Sequence, residues 1–62
     1  MDVHVICCND SLEHAVLNDS RLAAEKLLEL KELYFERNKW NFRDRQEYET
    51  RCYWHVHTVK GQ

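Results

Sequence analysis

The sequence predicts an α+β fold: a three-stranded antiparallel sheet in ββαβ order, strands arranged 2-1-3, covered on one face by one long helix. Three observations predict it. Residues 20–37 repeat apolar side chains at a helical period. Residues 3–8 and 52–59 are rich in β-branched and aromatic side chains. Two polar triplets, Asn9-Asp10-Ser11 and Asn18-Asp19-Ser20, sit where the chain must turn. At 62 residues the chain is expected to form one small domain, 1–62. A chain of this size buries only about 60% of its unfolded surface, so it supports a single modest core.

The elements follow in order. Val3-His4-Val5-Ile6-Cys7-Cys8 reads as the first strand, since β-branched side chains fit a pleated sheet. Asn9-Asp10-Ser11 is turn chemistry, because short polar side chains bond to nearby backbone. His14-Ala15-Val16-Leu17 reads as a short second strand. Asn18, Asp19 and Ser20 offer an N-cap for the long helix, Ser20–Arg37, whose Ala23, Leu27, Leu30 and Tyr34 are spaced by four, three and four. That spacing keeps them on one face of a helix of 3.6 residues per turn. Asp44 and Glu47 have the spacing of a capping box, which predicts a second short helix over about 44–50; one unbroken helix from 20 to 50 is the competing reading. Cys52 to Val59 alternates as the third strand.

Short connections make successive elements antiparallel, which brings the third strand beside the first. Alternation then assigns faces. Val3, Val5 and Cys7, with Cys52, Trp54 and Val56, are expected against the helix together with Ala15 or Leu17. His4, Ile6 and Cys8, with Tyr53, His55 and His57, are expected on the open face.

Charge is unevenly spread. The net charge is −2, with 9 basic and 11 acidic side chains. The basic ones gather after residue 36 and most acidic ones lie before it. Glu25, Glu29, Glu32 and Glu36 step along the helix surface opposite its apolar stripe. A solvated helix face is the plain reading of such a stripe; the functional reading is an acidic ridge for a protein with a basic groove. Nucleic acid is not an expected partner for a mildly acidic chain, and no apolar run is long enough to cross a membrane. The start MDVHVICC lacks the basic segment and long apolar core of a signal peptide. Three cysteines, Cys7, Cys8 and Cys52, form no disulfide framework. Together these predict a cytoplasmic protein.

Three constellations could carry chemistry. His55-x-His57 with a cross-strand His4 would form a three-imidazole set suited to zinc; no other cofactor is expected. Arg37, Lys39, Arg43, Arg45 and Arg51 interleave with Trp40, Phe42, Tyr48 and Tyr53, the composition of a single-strand binding surface. Ile6 and Tyr53, with Val16 or Val59, on the expected open face would support a homodimer, as would pairing of a strand edge. No nucleophile–base motif or Gly-rich phosphate loop is present, and a non-catalytic protein is expected.

The layout as a whole resembles the small early accessory proteins of tailed bacteriophages. The resemblance rests on the short opening strand VHVICCND, the triplet AVL, the Glu/Lys helix ending LYFERNKW and the closing W-H-V-H-x-V strand. It implies a non-catalytic inhibitor or adaptor acting in a host cytoplasm. Such a protein would block a host or defence enzyme, including CRISPR and restriction complexes, often by imitating nucleic acid with an acidic surface. On this reading Glu25, Glu29, Glu32, Glu36 and Tyr53 would contact the partner. The alternatives are a small metal-binding module using His4, His55 and His57, and a nucleic-acid-binding module using residues 37–51.

Overall fold

The computed structural model describes residues 1–61. The chain runs β1 (Asp2–Cys8), β2 (Ser11–Leu17), α1 (Ser20–Asn38), a single 3₁₀ turn (Lys39–Asn41), α2 (Arg45–Arg51) and β3 (Trp54–Lys60). The three strands form one antiparallel sheet in the order β2-β1-β3. This is the predicted α+β architecture, with the second helix separate.

Local chemistry explains the breaks. Asn9 and Asn18 take the left-handed backbone region, at φ 54 and φ 57, which asparagine tolerates better than most residues. Asp19 caps α1, its carboxylate accepting from the Leu22 amide at 2.9 Å. Asp44 caps α2 in the same way, accepting from the Glu47 amide at 2.9 Å. Between them Phe42 is extended, so a continuous helix from 20 to 50 cannot form. The reciprocal half of the expected capping box is replaced: Glu47 instead accepts from Arg43 at 2.9 Å.

The molecule is elongated, 44 × 18 × 14 Å. Strands of seven residues span only about 24 Å, so the chain reaches well past the sheet. At the end where β1 meets Trp54, an aromatic cluster fills the space between α1, α2 and the sheet. Tyr48 is its centre and is fully buried. Its ring lies 5.0 Å from Phe35, 5.1 Å from Phe42 and 6.1 Å from Tyr34. Its hydroxyl donates to the Lys31 carbonyl at 2.7 Å, which pins α2 to α1. The buried Trp54 Nε1–H has no hydrogen-bond partner among the described residues. Ile6, Val16, Ala23 and Cys52 complete the core.

The register corrects the expected faces of β1. Ile6 pairs with Val56 and with His14, His4 with Thr58 and Val16, and Cys8 with Trp54. Paired residues share a face, so His4, Ile6 and Cys8 lie under the helix beside Trp54 and Val56. Val3, Val5 and Cys7 lie on the open face. The assignment of β3 stands, that of β1 is inverted, and Ala15 and Leu17, expected against the helix, pair with Val5 and Val3 on the open face instead. The cause is the tie at the end of the hairpin: the Asn9 amide donates to the Tyr53 carbonyl at 2.7 Å and the Tyr53 amide to the Asn9 side chain at 2.9 Å. These bonds set Cys8 opposite Trp54, and a one-residue offset turns every side chain over.

Candidate protein-binding surfaces

Three sets of residues were singled out in the sequence, and the fold treats each differently. The first is the glutamate stripe. At about 100° per residue, positions 25, 29, 32 and 36 fall within roughly one sixth of the helix circumference. All four are exposed on the side of α1 away from the sheet. Three of them are already paired within the chain. Glu29 meets Lys26 at 3.5 Å, Glu36 meets Lys39 at 3.5 Å, and Glu32 meets Arg45 of α2. Glu25 forms no ion pair among the described residues. The ridge is therefore less negative than the sequence suggests. Exposed pairs of this kind are worth about 0–1 kcal/mol each, so a partner's cations can compete for the same carboxylates.

Apolar side chains flank the stripe, a feature the charge pattern alone did not reveal. Leu22 and Leu33 share the flank of α1 that carries Glu29, and both are about half exposed. Just past the helix end stands Trp40, 79% exposed, the most open of the large apolar side chains. Its indole N–H donates to the Arg37 carbonyl at 3.3 Å, which fixes the ring against the helix terminus. A sequence signal for this did exist: Trp40 stands within Asn38-Lys39-Trp40-Asn41, with no apolar neighbour to bury it. A shallow groove of about 440 Å³ is lined by Leu30, Leu33, Tyr34 and Trp54 with Glu13, Arg37 and Asn38.

The second set is the basic and aromatic segment 37–51. The fold commits most of it internally. Arg45 bonds Glu32 and Glu49 and lies over the Phe35 and Tyr48 rings. Arg43 and Arg51 both reach Glu47, and Arg51 lies over Phe42. Lys31 pairs with Glu49 at 2.6 Å. These contacts hold the Glu49 carboxyl below its ordinary value, chiefly through its hydrogen bond to Lys31. The Arg43 hydrogen bond holds Glu47 down likewise. With Phe42 and Tyr48 in the aromatic cluster, they are not free to stack on bases.

The third set, His4, His55 and His57, is not brought together. His4 is buried under the helix, its Nδ1 sharing a 3.0 Å hydrogen bond with Thr58 Oγ1. His55 and His57 pair with Cys7 and Val5 on the other side of the sheet. His55 Nε2 is hydrogen-bonded to the Asn9 carbonyl at 2.9 Å. Among the described residues no group of three His, Cys, Asp or Glu is placed to hold a metal ion. The expected three-imidazole zinc set is corrected by the inverted face of β1.

That inversion builds a different surface. The open face of the sheet carries three rows: Leu17, Val3 and Val59; Ala15, Val5 and His57; Leu12, Cys7 and His55. Tyr53 extends it, stacked on His55 at 4.8 Å. None of these side chains is Asp, Glu, Lys or Arg, and no element of the fold covers them. Of the residues expected at an interface, Tyr53 lies here and the glutamates lie on the opposite side of the molecule. Cys8, by contrast, is under the helix, where burial and the neighbouring Cys52 push its thiol up. Compared with known protein families, curated proteins and solved structures, the chain matches none. Among the described residues no helix is long and apolar enough to cross a membrane.

Proposed function

We propose that the chain is a non-catalytic protein-binding inhibitor or adaptor. It binds a basic groove on its partner through the outer side of α1. The observation that carries this reading is the exposed Trp40 with Leu33 beside Glu29 and Glu36. Exposed carboxylates give orientation and a fast encounter, whereas buried aromatic anchors supply most of the affinity of protein interfaces. Here Leu33 lies on the flank of α1 that carries Glu29, and Trp40 stands in the turn just past the end of the helix. In the bound state Trp40 and Leu33 enter an apolar recess of the partner. Glu25 and Glu29 then face its cations, and Glu32 and Glu36 exchange their internal pairs for external ones. The resemblance to phage accessory proteins supports a host enzyme or defence complex as the partner, one whose groove ordinarily takes nucleic acid.

The test is capture from bacterial lysate by the immobilised chain, beside Trp40→Ala and a Glu25/Glu29/Glu36→Lys variant. Glu32 is left in place because a lysine there would face Arg45. A stoichiometric partner is expected, lost with either variant and released as salt is raised. A partner retained by both variants would move the interface off α1.

A further inference from the structure

We infer that the open face of the sheet is a self-association surface, and that its occupant is the same face of a second copy. The chain has one layer of sheet and one of helix, so the outer side of the sheet has no second layer of its own. What it presents is apolar: Leu12, Leu17 and Val59 are 65%, 59% and 47% exposed, with Val3 and Val5 between them on the central strand. Single exposed apolar residues are ordinary on protein surfaces, but a contiguous set marks an interface.

Charge selects the occupant. The face carries no Asp, Glu, Lys or Arg, so it offers nothing to orient a charged partner. For the same reason two identical faces meet without repulsion, which is the requirement for an isologous twofold contact. Area is consistent with this. Three strands about 4.8 Å apart and seven residues long expose roughly 500–600 Å² per copy once side-chain relief is included. Two copies would bury on the order of 1,000–1,200 Å², which just clears the roughly 1,000 Å² of a biological interface and lies in the range of weak, reversible association. The sheets would stack about 10 Å apart with their strands aligned to within about 30°. Both glutamate ridges would remain outside, so the dimer would present the proposed partner-binding side of α1 twice.

Sedimentation equilibrium of the full chain tests this. The wild type is expected to pass from the 7.6 kDa of one chain to twice that mass as concentration rises. Leu17→Lys, at an exposed position of the face, is expected to stay at the monomer mass with an unchanged far-ultraviolet circular dichroism spectrum. Val59→Lys, on the opposite edge, repeats the test should the first variant lose its fold. Leu28→Lys, exposed on α1, is the control and is expected to dimerise normally. Alkylation should agree: Cys7, within the face, becomes protected as the wild type dimerises and stays reactive in Leu17→Lys. A wild type that is monomeric at every concentration overturns the inference. So does a dimer that survives both lysine substitutions, which would mean pairing through a strand edge.

Discussion

Val5 and Ile6 are neighbours on the central strand, and the helix covers one and leaves the other bare. On the covered side Ile6 is fully buried and touches the cluster around Tyr48 and Trp54. On the bare side Val5 lies between Ala15 and His57 with no layer above it. Both sides of β1 are apolar, yet only one contributes a core within the chain. The difference teaches that hydrophobicity marks what can be buried. What is buried depends on which partner the fold supplies, and for the outer side the described chain supplies none.

The largest expected effect tests that comparison directly. Ile6→Ala should cost about 2–5 kcal/mol, because it opens a cavity in a packed interior. A domain of this length is stable by only roughly 3–9 kcal/mol, so the variant should lose a large share of its stability. Val5→Ala should cost about 1 kcal/mol or less. Urea titration in samples dilute enough to suppress self-association measures both. Equal losses would mean that the two sides are equally packed in the monomer.

A smaller effect is expected at the aromatic end. Tyr48→Phe removes the hydrogen bond to the Lys31 carbonyl and should cost about 1 kcal/mol. The same residue gives a pH signature. Burial pushes the Tyr48 phenol from 10.0 up to about 12. The folded state thus favours the protonated ring, and that contribution is complete below pH 10 and lost as pH rises from 10 toward 12. Absorbance titration should show one late phenolate step, absent in Tyr48→Phe. A titration in which all tyrosines ionise together while the protein remains folded would place Tyr48 in contact with water.

The smallest effect belongs to the exposed ion pairs that join α1 to α2. The folded-state pKa of Glu49 is depressed, so its contribution is present above the ordinary value of 4.5 and lost as pH falls through the lower folded value. Stability to urea should decline on acidification below pH 4.5, and Glu49→Gln should flatten that decline. An identical acid profile in the variant would assign the loss to other carboxylates.

The candidate surfaces were legible only in part. The spacing of Glu25, Glu29, Glu32 and Glu36 revealed a shared, exposed side of α1, because helical period is a local property. It did not reveal that Arg45, thirteen residues beyond Glu32, folds back onto it. The composition of 37–51 suggested free cations and free rings. Tyr48 and Phe42 instead became the packing centre of α2, and the cations were drawn to nearby carboxylates. The histidine set failed for a more instructive reason: adjacent residues of β1 are apolar on both sides, so alternation could not choose between them.

What the sequence by itself determined is the set of elements and their order. Periodicity placed α1, Asp19 and Asp44 capped the two helices, the asparagines set the turns, and short connections dictated β2-β1-β3. Each of these depends on residues a few positions apart. Which side of β1 meets the helix, which charges are cancelled and which apolar residues stay exposed were settled by tertiary contacts alone. Those outcomes depend on pairing between Asn9 and Tyr53 and between Cys8 and Trp54, far apart in the chain. A shift of one residue there reverses every face while leaving the local sequence pattern unchanged.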